Sequence, residues 1–268
     1  MNDAKKLRRP SEGGYARGDE TRRRIIEAAV DLFGEHGFDG ASTRDIAARA
    51  GVNAPALQYY FENKEGVYRA CIEAFADEAW EKFGPAIEHA HEVLRTEADR
   101  EALIEAFLRI QATMADKILV NAHTPGQRLF FAREQAGYEP ASATQILMHR
   151  IRKPLNDVSA ALVGRITGRA ADDPVMLVRM LSLHGQLMIF HVAHRSALTL
   201  LGWESFDADK IALLKSTMGA QTRTLLDAWS NESKESGEGD APVAHDETVV
   251  AQPATKTKAK STPATRKK

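Results

Sequence analysis

Between Gly51 and Glu65 the chain reads GVNAPALQYYFENKE, with amides at Asn53, Gln58 and Asn63, phenols at Tyr59 and Tyr60, and a single basic side chain, Lys64. A side-chain amide can make two hydrogen bonds to an adenine edge, and a phenol hydroxyl donates well to a phosphate oxygen. The layout is that of the second half of a helix pair that reads DNA, in a segment short of charge. The chain has no nucleophile motif, glycine-rich phosphate loop or credible metal set, so it is read as a non-enzyme with no cofactor and no metal. His184, His191 and His194 share one predicted helix but lack an i,i+4 pair, and no cysteine lies near them. They read as pocket or interface groups, or as solvated or core histidines, rather than as metal ligands.

A second group lies further on. In LFFAREQAGYEPA, Phe130, Phe131, Arg133 and Glu134 combine apolar bulk with a charge pair. Binding pockets join an apolar lining to a few polar anchors. Phe130, Phe131, Arg133, His184, Gln186 and Phe190 are therefore candidate pocket residues, with ordinary packing as the alternative. Arg133 either anchors an anionic group or pairs with Glu134.

Helices must position these groups. Ile26, Ala29, Val30 and Phe33 recur at helical spacing. That helix should stop at His36, with Gly37 left-handed and Phe38 folded back on Phe33. Ser42 caps a second helix, with Asp45 in its first turn, and Gly51 ends it. Asn53 caps a third, where Pro55 falls at a position whose N–H has no intrahelical partner, and Val52 can staple to Leu57. Asn63 caps a fourth. Further helices are expected near 67–95, 99–121, 125–137, 143–169, 173–198 and 207–230, and no run alternates in the manner of a strand.

The whole chain has 268 residues, a formal net charge of −1 and one cysteine, Cys71. No global basic signal favours nucleic acid or membrane, and a lone cysteine suits a reducing cytosol. No apolar run nears the roughly 20 residues of a membrane span, and the first residues lack the apolar core of a secretory signal. A cytoplasmic protein is expected. Residues 1–18 read as a flexible basic arm and 231–268 as a disordered tail, acidic and then basic.

The residues RIIEAAVDLFGEHGFDGASTRDIAARAGVNAPALQYYFENKEGVYRACI resemble the amino-terminal domain of TetR/AcrR-family transcriptional regulators over about residues 20–72. The later stretches FFAREQAGYEPASA, LHGQLMIFHVAHRSAL and LGWESFD resemble the YbiH/CecR-like subgroup. The resemblance implies an all-α fold. A three-helix helix-turn-helix DNA-binding domain at 19–67 would precede a larger helical ligand-binding and dimerisation domain at 68–230. It also implies a homodimer through the last two helices, a small-molecule effector, and release of a palindromic operator, with no membrane partner.

In such a fold the third helix enters the major groove by its amino end. Asn53, Ala54, Pro55, Ala56 and Gln58 would then face the bases, with the small apolar groups against thymine methyls. Arg44 would reach a guanine or a phosphate. Thr43, Tyr59, Tyr60 and Lys64 match positions that hold the phosphate backbone. The alternatives are solvation for Gln58, core packing for Tyr60, a plain first-turn role for Thr43, and surface charge for Arg44 and Lys64. Lys5, Lys6, Arg8 and Arg9 could enter a minor groove, and the basic tail could coat DNA without specificity; both could equally be solubilising extensions. Met176, Met180, Leu183, Leu187 and Phe190, with Ile211, Leu214, Met218, Leu225 and Trp229, are the expected interface between protomers, or else core.

Overall fold

The computed structural model describes residues 12–120, 124–137 and 140–237. They form an all-α fold. Its helices are α1 (Glu12–Gly40), α2 (Thr43–Arg49), α3 (Ala54–Phe61), α4 (Lys64–Arg95), α5 (Arg100–Ala115), α6 (Pro125–Gln135), α7 (Ala141–Leu147), α8 (Lys153–Thr167), α9 (Pro174–Val192), α10 (His194–Leu201) and α11 (Ala208–Gly237). One-turn π-helical segments follow α5 (Asp116–Val120) and α7 (Met148–Arg152).

The expected caps are in place. Ser42 Oγ accepts from the Asp45 amide at 3.1 Å, and Asn53 Oδ1 accepts from the Ala56 amide at 2.8 Å. Asn63 Oδ1 accepts from the Gly66 amide at 2.8 Å, and the helix expected from 99 is capped by Asp99, whose Oδ1 accepts from the Ala102 amide at 2.9 Å. Each bond satisfies a donor that the helix itself leaves open. Gly51 takes φ 66° between α2 and α3. Thr124 and Gln127 form a reciprocal capping box at the start of α6.

Several boundaries differ from expectation. Residues 12–18 belong to α1 and are not an arm. The stop foreseen at His36 is a kink: Gly37 has φ 74° and ψ 173°, and one further turn reaches Gly40. Phe33 and Phe38 still meet across it, with ring centroids 5.9 Å apart. The helix expected over 143–169 is α7, a π turn and α8. The one expected over 173–198 breaks at Ala193, whose ψ of 36° leaves the helical range. The last helix runs on to Gly237 rather than ending near 230, held by Arg179, which pairs with Glu232 at 2.5 Å and lies over the Trp229 ring. The basic residues before 12 and the lysine-rich tail beyond 237 lie outside the described residues.

α4 joins the two ends of the molecule. It packs on α1 near its start and on α5, α7 and α8 further along. Pro85 sits inside it, where a proline removes one backbone bond. Burial of Phe83, Ala86, Ile87 and Ala90 holds the helix through that gap. The expectation that no apolar run approaches a membrane span needs correcting: α9, at 19 residues, is long and apolar enough by length and composition. Only part of that character faces inward, since Val178, Leu181, Ile189 and Val192 are exposed. Met176, Met180, Leu183 and Leu187 are buried in this chain's own core, as are Ile211, Leu214 and Met218 of α11. The residues expected between protomers are thus largely intrachain packing.

Candidate nucleic-acid interface and adjoining cavity

The first three helices enter the hydrophobic core through Phe33, Ile46, Leu57 and Phe61. α3 is fixed from its inner side. Leu57 and Phe61 are buried, Val52 is half-buried against the same core, and the Arg22 guanidinium lies 5.5 Å from the Phe61 ring centroid. After α3 the chain turns sharply at Glu62, the one non-glycine residue with positive φ (57°) among the described residues. Gly66 permits that turn, since a Cβ there would lie 2.2 Å from the Phe61 carbonyl oxygen.

The outer side of α3 carries the expected reading groups. Asn53, Ala54, Pro55 and Gln58 are exposed, Ala56 is half-buried, and Tyr59 is 84% exposed. Tyr60 is half-buried, edge-on to Tyr59 at 5.3 Å. Its hydroxyl points at α1, 3.7 Å from where a Cβ on Gly18 would stand. Thr43 is half-buried at the start of α2 and Arg44 beside it is exposed.

Most cations of this head are engaged within it. Arg23 pairs with Glu20 and Glu27, and Arg49 makes two bonds of 3.1 Å to Glu35. Lys64 Nζ donates to the Ala41 carbonyl at 3.2 Å and lies 4.6 Å from the Phe38 ring centroid. Lys64 therefore braces the turn after α1, a task that sequence spacing did not reveal. Arg44 has no hydrogen bond or ion pair among the described residues.

α6 packs along α1 at backbone distance. A Cβ on Gly34 would fall 2.0 Å from the Gly126 carbonyl oxygen, and one on Gly126 would fall 2.6 Å from Asp31 Oδ1. Thr124 Oγ1 donates to Asp31 at 2.7 Å, and Arg133 Nε donates to the Gly34 carbonyl at 3.0 Å. Arg133 thus faces α1, not a pocket, and it does not pair with Glu134. The buried Glu134 carboxylate receives both Arg152 nitrogens, at 3.1 and 2.5 Å.

Behind Glu134 lies a chamber of about 160 Å³, walled by Phe75, Ile118, Phe131, Leu147, Ile151 and Met188, with Lys117, Glu134, Gln135, Arg152 and His191 at its polar edge. Lys117 Nζ is 2.6 Å from Glu78 and 4.7 Å from the Phe75 ring centroid. Burial pushes the Lys117 amine below its ordinary pKa, against the opposing pull of Glu78. Of the six side chains expected to line a pocket, Phe131 does. Phe130 is core, packed on Tyr68. His184 is buried with its ring stacked on Phe107 at 5.6 Å. Gln186 and Phe190 lie on other faces of α9, with Phe190 edge-on to Phe206.

Lys117, Ile118, Ile151 and Arg152 were missed because they lie in the two π turns. There the 3.6-residue period fails, and such bulges recur at functional sites. A charged residue falling on an otherwise buried face was the available signal. Outside the chamber a wider vestibule of about 440 Å³ lies between α6 and the α9–α10 break. Arg128, Gln135, His191, His194 and Arg195 are among its lining residues. The break at Ala193 parts the three histidines: His184 is core, His191 stands between the two spaces, and His194 opens α10.

A compact amino-terminal helix-turn-helix followed by a larger helical body with a cavity defines the class of helix-turn-helix regulators. A family model described as bacterial regulatory proteins, tetR family, matches residues 25–71, and one for the C-terminal domain of the HTH-type transcriptional dual regulator CecR matches 103–229. The chain is 33% identical to that regulator from Shigella flexneri over 218 residues, covering 81% of this chain and 96% of the relative. It is 40% identical over 75 residues to the class A tetracycline repressor protein of Escherichia coli, covering 28% of this chain and 31% of that one. Among solved structures, AibR in complex with isovaleryl coenzyme A and operator DNA matches with TM-score 0.53 at 16% identity, over 75% of this chain and 97% of that one. A transcriptional regulator from Rhodococcus sp. Rha1 matches at 0.51 and 16% identity, over 77% and 96%. The chain belongs to the TetR family, with a CecR-type C-terminal domain. It is a DNA-binding transcriptional regulator and not an enzyme.

Proposed function

We propose that this chain acts in the cytoplasm as a homodimeric repressor, released from a palindromic operator when a small molecule enters the chamber behind α6. The observation that carries the reading is the division of α3. Its inner residues are locked in the core, while Ala54, Pro55 and Gln58 stand exposed at the amino end beside the half-buried Ala56. In a major groove, Gln58 would bond an adenine edge, Ala54, Pro55 and Ala56 would pack on thymine methyls, and Arg44 would read a guanine. Asn53 would stay at the cap beside the bases. Thr43, Tyr59, Tyr60 and Lys64 would lie along the phosphates, Lys64 with whatever donor its bonds to the Asp39 and Ala41 carbonyls leave free.

Dimerisation is supported by what α9 and α11 leave uncovered. Val178, Leu181, Ile189 and Val192 form an exposed stripe on α9, and Leu213 stands exposed on α11. Paired with the same stripes of a second copy, they would make a four-helix interface. The two α3 helices would then reach successive major grooves about 34–36 Å apart.

Effector control is supported by α6, which presents Arg133 to α1 and Glu134 to the chamber. The likeness to a fold solved with both a ligand and operator DNA agrees with this. Coupling of about 1–3 kcal/mol between chamber and operator would suffice. Selection of genomic fragments bound by the chain, followed by gel shifts on the recovered site, tests the reading. Recovery of one palindromic sequence supports it, and uniform recovery of all fragments rejects it in favour of non-specific coating.

A further inference from the structure

The chamber behind α6 limits its occupant by size, charge and hydrogen bonding. Its volume is about 160 Å³. A cavity of about 150 Å³ lined by aliphatic and aromatic side chains takes up benzene, so there is room here for one small ring. Phe75 and Phe131 pack on each other in the wall, ring centroids 4.0 Å apart and planes tilted by 44°. A ring between them and Ile118, Ile151 and Met188 would meet aromatic edges and faces as well as aliphatic groups.

The two cations of the chamber are already matched. Lys117 holds Glu78 at 2.6 Å, and Arg152 gives two nitrogens to Glu134, whose side chain is 1% exposed. An anionic occupant that took Arg152 would leave the Glu134 carboxylate buried without its cation, which is strongly unfavourable. On Lys117 it would compete with an acid already in contact. A cationic occupant would come up against Lys117 and Arg152 themselves. An uncharged one meets neither penalty. The pairing with Arg152 does not exhaust Glu134. Each of its oxygens accepts one Arg152 nitrogen, whereas an ionised carboxylate has about four acceptor positions. No other donor reaches it among the described residues. A hydroxyl on the occupant can therefore make a charge-assisted hydrogen bond to Glu134 without disturbing Arg152.

We propose that the chamber is a site for a small uncharged aromatic molecule of the phenol class, with its ring beside Phe75 and Phe131 and its hydroxyl donating to Glu134. The proposal rests on the ligand-responsive reading above and names the class of effector.

Isothermal titration of the full chain at neutral pH tests this with p-cresol, toluene, anisole, cyclohexanol, benzoate and benzylamine. p-Cresol should bind about tenfold or more tightly than toluene or anisole, which have no donor, since a hydrogen bond to a charged group is worth that factor. Cyclohexanol should bind severalfold more weakly than p-cresol, lacking the ring contacts to Phe75 and Phe131. Benzoate and the protonated amine should show no saturable binding. Glu134→Gln keeps the shape but removes the charge and frees Arg152. In that variant, shown folded by circular dichroism, the margin of p-cresol over anisole should shrink and benzoate should begin to bind. Filling the chamber with Ile151→Trp should abolish binding of p-cresol. The ligand series on the parent chain decides the class by itself if Glu134→Gln does not fold.

The proposal falls if p-cresol does not bind, if any of the other five compounds binds the parent chain as tightly, or if a folded Ile151→Trp variant still binds p-cresol. A gel shift separates this from the regulator reading. If p-cresol binds with the expected preference and leaves the operator complex intact, the site stands and the chamber is not the switch. If p-cresol does not bind and another compound releases the operator, the site falls and the switch stands.

Discussion

Arg44 is exposed beside α3, and like Arg17 and Arg24 on α1 its side chain has no hydrogen bond or ion pair among the described residues. Arg22, Arg23, Arg49 and Lys64 are all tied to rings, carboxylates or carbonyls of the same head. Replacing Arg44 with alanine should therefore leave thermal stability unchanged and weaken operator binding by about 1–3 kcal/mol, measured by gel shift or anisotropy. Equal binding by the variant would remove Arg44 from the interface. His184 gives a prediction of another kind. Burial alone pushes its pKa down to about 4, so it is neutral in the fold. The unfolded chain takes up that proton at about 6.5, so it binds more protons than the folded one between the two values. Stability from this residue is then full above pH 6.5 and falls as pH drops toward 4, by up to about 3 kcal/mol. His184→Leu should flatten the melting temperature against pH across that window relative to the parent. An unchanged slope would show that His184 is not the group responsible.

At the scale of elements, the contact between α1 and α6 depends on two glycines and one arginine. Gly34→Ala would push a methyl group into the Gly126 carbonyl, forcing two backbones apart. Overpacking of this kind costs about 1–3 kcal/mol, visible in chemical denaturation. Arg133→Ala removes only the bond to the Gly34 carbonyl and should cost about 1 kcal/mol. If α6 carries the signal, Arg133→Ala should still bind effector, and operator affinity should respond to it less. Retention of full release would assign coupling to another contact. Much of this level was legible beforehand. Ser42, Asn53, Asn63 and Asp99 are caps because short polar side chains bond amides two or three residues on, a local rule that needs no tertiary knowledge. The long helices foreseen over 143–169 and 173–198 came out broken because a π turn and a single non-helical residue barely disturb an apolar pattern. Which side of α3 is exposed was readable for the same local reason. The chamber was not, since it is assembled from α4, α6, α7, α9 and both π turns.

For the whole molecule, α9 shows how apolarity misleads when it runs all round a helix. Met176, Met180, Leu183 and Leu187 pack inward, while Val178, Leu181, Ile189 and Val192 stay exposed as a stripe that the proposed dimer would cover. If this stripe pairs two copies as proposed, charging it with one sign, Val178→Glu and Ile189→Glu, should yield a folded monomer, detectable by sedimentation, and should weaken binding to a palindromic site far more than to a half-site. A variant that stays dimeric would place the interface elsewhere.

The internal commitment of the cations has a consequence in salt. Binding DNA releases counterions in proportion to the phosphates that a protein neutralises, with a slope of about −0.9 per contact in log affinity against log salt. A head that holds Arg22, Arg23, Arg49 and Lys64 in its own structure has few charges to exchange for those ions. Its operator affinity should therefore decline gently as salt rises. Any steep component would belong to the basic ends of the chain, Lys5 to Arg9 or the lysines after 255, and would disappear when they are removed. Such a regulator would find its site by the fit of its reading surface more than by attraction, and would keep hold of it through swings in ionic strength that detach more basic proteins.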